Sequence, residues 1–192
     1  MSYIDEIMSF NREFVETKQF EAYKTTKYPN KKIAVLSCMD TRLTELLPAA
    51  LNFKNGDIKI ITNAGAIISH PFGSVMRSLL VAIYELGVEE IMVIGHLDCG
   101  MQSLQSEALI KKMHDRGIEK QKLNQIETQG IDLEKWLKGF DCVETSVMET
   151  VFIIRSHPLM PQDVQIHGLV IDPETGLLHM IEDEKKEELM RI

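Results

Sequence analysis

The chain has 192 residues, 44% of them hydrophobic and 26% charged, the balance of an ordinary globular protein that buries a core without disulfides or other staples. Lysine and arginine number 21 against 29 aspartate and glutamate, a net charge of −8, which weighs against nucleic acid as a partner because such binders present a basic surface. No run approaches the ~20 apolar residues that span a bilayer, and the first residues lack a basic segment followed by an apolar one, so the expectation is a cytoplasmic protein with no membrane partner.

Residues 2–18 place Ile4, Ile7, Met8, Phe10 and Phe14 at helical spacing, with Asp5, Glu6, Asn11 and Arg12 between them. This is an amphipathic helix whose apolar face needs a surface to lie on. Pro29 and Asn30 end the pattern, and "IAVLSC" at 33–38 is a run of β-formers of the kind buried on both faces of a parallel sheet. After the turn "MDTR", "LTELLPAALNF" reads as a short helix with Pro48 at its start or at a kink, and "GDIKIITNAGA" as a second strand entering a turn at Asn63 and Gly65. Residues 71–87 give a helix with Val75, Leu79, Ala82, Ile83 and Leu86 on one face and Gly87 as its stop. "IMVIGH" follows as a third strand. Residues 101–140 are polar and mostly helical in pattern, with breaks at Gly117 and Gly130. A longer helix over 141–157 ends at Pro158, "QIHGLVID" reads as a strand, and "PETG" turns the chain into "LLHMI" as its hairpin partner. Residues 182–192, "EDEKKEELMRI", form a charged tail.

Strands alternating with helices predict an α/β fold with a mainly parallel central β-sheet flanked by helices, residues 1–192 forming one domain without repeats or linkers. In such sheets ligands bind beyond the carboxyl ends of the strands. Three chemically distinctive segments fall there: Cys38, Asn63 to Ala66, and His96 to Cys99.

Three cysteines make no disulfide framework, so metal ligation or catalysis is the better reading of Cys38 and Cys99. With His96 they offer two thiolates and one imidazole, a set suited to tetrahedral zinc with one position left over. Asp40, two residues past Cys38, can aim at that position, and Arg42 is close enough to hold it by charge-assisted hydrogen bonds. Two arrangements follow: Asp40 closes the site as a fourth ligand, or Arg42 holds it away and water takes the place. Paired with arginine, Asp40 stays an acceptor, and two thiolates make bound water less acidic, so activity should rise on the alkaline side. A purely structural zinc and a thiol redox pair of Cys38 with Cys99 are the competing readings. Cys142 is read as a semi-buried structural residue inside the 141–157 helix. His70, His114, His157, His167 and His179 are assigned surface or packing roles, with His70 near a pocket, and Met39 and Met101 flank the motifs as pocket-shaping residues.

"CMDTR", "NAGA" and "GHLDCGM", in this order, resemble the Cys-x-Asp-x-Arg, Asn-Ala-Gly-Gly and His-x-x-Cys motifs of β-class carbonic anhydrases, in particular the small bacterial and archaeal type. The resemblance runs from about residue 1 to 181 and takes in Arg77 to Leu79 and "HGLVIDPETGLL". It implies one Zn2+ per chain held by Cys38, His96 and Cys99, with Asp40 joining them only in a closed state. It also implies a catalytic dyad of Asp40 and Arg42, and a substrate pocket at Ala64, Gly65 and Ala66. The implied reaction is the reversible hydration of carbon dioxide to bicarbonate and a proton through zinc-bound hydroxide, in a homodimer or dimer of dimers with residues 1–18 lying across the partner. Members with the same ligands hydrolyse carbon disulfide or carbonyl sulfide, which is the alternative substrate. A low-turnover zinc protein that binds an anion or regulates is the alternative of another class, and the intact Asp40 and Arg42 argue against it. The chain departs from the family pattern at Thr62, often arginine, and at Ala66, often a second glycine.

Overall fold

Strand β1 (Ile33–Cys38) is one of the inner strands of the sheet, and Ala34, Val35, Leu36 and Ser37 on it are fully buried. The computed structural model describes residues 2–181; the charged segment expected at 182–192 lies outside them. β1 pairs in parallel with β2 (Ile58–Asn63) on one side and with β3 (Glu90–His96) on the other. β4 (Gln165–Ile171) adds in parallel to β3, and β5 (Leu178–Met180) returns antiparallel to β4 through the predicted hairpin. The order β2-β1-β3-β4-β5 makes a mainly parallel sheet with one antiparallel edge, and the three distinctive segments sit at the carboxyl ends of the adjacent strands β2, β1 and β3.

Helices cover the sheet as crossover connections require. α2 (Leu43–Ala50) follows β1, and its Leu43 and Leu47 pack with Val35, Ile94 and Ile171. Pro48 lies inside this helix rather than at its start. α3 (Ser74–Tyr84) buries Met76, Leu79 and Ala82, while Val75 and Ile83 pack at the margin and Leu86 falls beyond the helix end. The buried face is the predicted one, widened to include Met76 and ending before Leu86. The polar stretch resolves into α4 (Ser106–Asp115), α5 (Lys120–Thr128) and α6 (Leu133–Leu137), with Gly117 and Gly130 between them as expected.

The last long helix, α7 (Val143–Arg155), lies directly on β3 and β4. Its approach depends on two missing side chains. A Cβ on Gly95 would stand 2.7 Å from Cγ2 of both Val143 and Val147, and one on Gly168 would stand 3.0 Å from Val147 Cγ1. Cys142 is not inside this helix: it is the N-cap residue, exposed, and its Sγ donates to Glu144 Oε2. The first buried position of the helix is the next residue, Val143, which corrects the expectation of a semi-buried thiol inside the helix.

α1 (Tyr3–Glu16) is the predicted amphipathic helix, opened by a capping box in which Ser2 and Asp5 satisfy each other's backbone N–H groups. No residue on it is buried; Ile4 is 60% and Phe10 61% exposed. Among the described residues no helix is long and apolar enough to cross a membrane.

Candidate metal centre

β1 and β3 end side by side, and each delivers its last side chain to the same point. Cys38 closes β1, His96 closes β3, and the tight turn after β3 returns Cys99, so that the two sulfurs and one imidazole nitrogen all lie within 4.8 Å of one another. All three residues are buried. The turn owes its tightness to Asp98, whose backbone takes the left-handed conformation at φ +52°.

The second segment supports this cluster from behind. Asn63, the last residue of β2, uses both ends of its amide on Ile67: Nδ2 donates to the carbonyl at 2.5 Å and Oδ1 accepts from the N–H at 3.1 Å. This closes a one-turn 3-10 segment, Ala64–Ala66, in which Gly65 adopts φ +79° and donates its N–H to Cys38 Sγ at 3.4 Å. Ala66 also stands at positive φ, +57°, a conformation that costs a residue with a Cβ about 1 kcal/mol and that glycine adopts freely. Gly65 and Ala66 are buried. The cavity of about 300 Å³ beside Cys38 and Asp40 is lined instead by Met39, Leu43, Leu47, Ile60 and Thr62 among others, so the turn acts on the sulfur rather than on the cavity wall. Met39 reaches this cavity; Met101 packs close to Gly65.

Electrostatics separate the two thiols. Burial pushes Cys38 up, but the adjacent His96 ring and the N–H groups of Gly65 and Asp40 pull harder the other way and bring it to about 7. Burial pushes Cys99 up to about 11, the charges of Cys38 and Asp40 adding to it against the N–H of Met101. The Cys38 sulfur in turn raises His96, against its burial. Cys38 and His96 therefore compete for a proton that a bound cation displaces.

Two observations test whether these residues fit zinc. Sulfurs bound at about 2.3 Å on a tetrahedral ion stand about 3.8 Å apart. The Cys38 and Cys99 sulfurs are 3.8 Å apart. His96 is oriented for the same role: Nδ1 lies 2.8 Å from Leu97 O, a pure acceptor, so it carries the proton and leaves the Nε2 lone pair free. That Nε2 is buried with no hydrogen-bond partner, as a nitrogen awaiting a metal would be. The donor set fits.

Asp40 stands next to the cluster without belonging to it. Its Oδ2 is 3.8 Å from His96 Nε2, and Arg42 grips both oxygens, Nε to Oδ1 at 3.0 Å and Nη2 to Oδ2 at 2.9 Å, with a further bond from its backbone N–H. Chiefly through the Arg42 side chain, the carboxyl is held down to about 2. Of the two arrangements left open by the sequence, the structure has the one in which arginine holds the carboxylate. Sequence reasoning gave Asn63 only a place in the turn and gave Asp98 no role of its own. Asp98 accepts from Arg42 through both its carboxylate and its carbonyl, and only its place inside the His-x-x-Cys turn could have signalled this. His70 is exposed and accepts from the Phe72 N–H, and it lies outside the cavity at Asp40; His157 is buried against the Phe72 ring.

Comparison with known proteins now bears on the same residues. A family model described as carbonic anhydrase matches residues 33–178. The chain is 52% identical over 94% of its length to the Bacillus subtilis (strain 168) protein named "Putative carbonic anhydrase YtiB", covering 97% of that protein. It is 31% identical over 78% of its length to a carbon disulfide hydrolase of Acidithiobacillus thiooxidans, covering 76% of it. Among solved structures, the β-carbonic anhydrase isoform I of Trichomonas vaginalis superposes with a TM-score of 0.86 at 36% identity, over 95% of this chain and 99% of that one. With the sheet order, the Cys-His-Cys cluster and these matches in agreement, the chain belongs to the β-carbonic anhydrase family.

Proposed function

We propose that this protein catalyses the reversible hydration of carbon dioxide to bicarbonate and a proton, using one Zn2+ per chain held by Cys38, His96 and Cys99. The observation that carries the reading is the grip of Arg42 on both oxygens of Asp40, which leaves a three-ligand cluster beside a cavity. A structural zinc site is closed by four protein ligands and has no use for a restrained carboxylate next to it. Zinc held there would supply Lewis-acid chemistry, lowering the pKa of a coordinated water, though less than in an all-histidine site because two thiolates offset the ion's charge.

The chain's own residues do the rest. Asp40 is acceptor-only because Arg42 keeps it ionised, so it takes a hydrogen bond from the attacking oxygen and turns a lone pair of that oxygen toward the substrate carbon. Leu43, Leu47 and Ile60 give the cavity apolar sides that suit a small uncharged molecule. Arg42 and Asp40 retain 37% and 17% of their side-chain exposure, so the released proton has a route to solvent. The bare apolar face of α1 supports a homodimer in which this helix lies on a second copy.

Carbon disulfide is the second candidate substrate, favoured by the relative of that name and by the same geometry, which serves attack on either linear molecule. Stopped-flow hydration by zinc-quantified protein at neutral and alkaline pH, run beside hydrogen sulfide release from carbon disulfide, separates the two. Hydration rising with pH upholds the first reading. Sulfide release without hydration replaces it with the second, and neither activity in fully zinc-loaded protein refutes both.

A further inference from the structure

Arg42 is held from two sides, and only one of them belongs to the dyad. On its inner edge it binds Asp40; on its outer edge Nη1 donates to Asp98 Oδ2 at 2.9 Å and Nη2 donates to Asp98 O at 2.9 Å. Four of the five N–H bonds of the guanidinium are thus spoken for, and two loops are tied together: the one carrying Cys38 and Asp40, and the one carrying His96 and Cys99. The left-handed backbone at Asp98 is what lets its carbonyl and carboxylate meet the same guanidinium, and aspartate is among the few side chains that tolerate that conformation.

We propose that Asp98 is a positioning residue, which fixes Arg42 so that Asp40 stays on the arginine instead of turning to the cluster as a fourth ligand. The proposal rests on the reading of Asp40 and Arg42 given above. Asp40 Oδ2 is only 3.8 Å from His96 Nε2, so a small rotation brings it among the ligand atoms. Arg42 bonded to Asp40 alone can swing with it; Arg42 anchored on Asp98 cannot without giving up two further bonds. The Asp98 side chain is 87% exposed, and ion pairs so placed add little to stability. Its effect is therefore expected in the position of Asp40 rather than in the stability of the fold.

Asp98→Gly removes the carboxylate and suits the left-handed turn, while Asp98→Asn keeps a neutral acceptor there. In zinc-loaded Asp98→Gly, release of the metal to a chelator should slow by about threefold to tenfold as Asp40 joins the ligands, and the slowing should vanish in Asp98→Gly/Asp40→Asn. Hydration should fall by a similar factor with the acid limb of its pH profile moved to higher pH, and Asp98→Asn should lie between. A crystal structure of Asp98→Gly reads the contact directly: Asp40 released from Arg42 upholds the proposal. Metal release equal to or faster than that of the unsubstituted protein, slowing that persists in the double variant, or Arg42 and Asp40 unmoved would each overturn it. Metal release and the crystal structure need no turnover, so failure of the proposed reaction leaves this test intact.

Discussion

The Cys38 and Cys99 sulfurs stand 3.8 Å apart, beyond the reach of a disulfide bond and at the spacing of two thiolates on one ion. Cys142, by contrast, is exposed. Thiol titration of zinc-loaded protein should therefore count one fast-reacting cysteine per chain, and all three after chelation. Three fast thiols before chelation would favour a redox pair over a metal centre.

Asp40→Asn should keep zinc near one equivalent per chain while lowering hydration by about 100-fold, the scale of a lost proton-directing group. Metal analysis and stopped-flow rates on one preparation check both halves. Unchanged turnover would remove Asp40 from the mechanism.

Asp40 titrates at about 2, below the ordinary carboxylate value of 3.8, so its ionised form is favoured by folding. The stability it contributes is complete above about pH 4 and fades as the pH falls toward 2. Denaturation followed across that window should show a steeper acid loss for the unsubstituted protein than for Asp40→Asn. The alkaline rise of activity cannot then come from Asp40, which is ionised throughout. It is expected because two thiolates neutralise much of the cation's charge and leave bound water less acidic.

Gly95→Ala should destabilise the fold by about 1–3 kcal/mol, because its Cβ would be driven against Val143 and Val147 at 2.7 Å. Urea denaturation measures it. A neutral result would mean that α7 can lift from β3 without cost.

Ile7→Asp and Phe10→Asp place charges on the exposed apolar face of α1 without disturbing any buried contact. Self-association should weaken by about tenfold or more in sedimentation experiments, with the monomer still folded. An unaltered sedimentation profile would count against α1 as the contact between copies.

Much of this was legible in the sequence because it rests on local signals. The buried strands announce themselves as unbroken apolar runs, and the ligands lie at or just past their ends, so locating the strands located Cys38 and His96. The face of α3 is legible too, except that Met76 is more deeply buried than its apolar neighbour Val75, a choice periodicity alone cannot make. Cys142 falls one residue outside the helix because Asp141, with Glu144 three positions on, reads as the start one residue earlier than the helix actually begins. Asp98 escaped notice since its importance lies in reaching Arg42 from a separate loop, a relation set by the pairing of β1 with β3. The glycine before His96 looked like part of the motif; it is there for α7.

Cys38 borders the cavity, but much of the rest of its wall comes from residues that hold no metal. Cys38, His96 and Cys99 sit on and after the central strands, whereas Ile60 and Thr62 belong to the edge strand β2 and Met39 to the loop after β1. Mutations can reshape what enters the cavity while the ion keeps its ligands, so substrate preference and metal chemistry are free to evolve on separate schedules. A family that includes both carbonic anhydrases and carbon disulfide hydrolases is what such a division of labour produces.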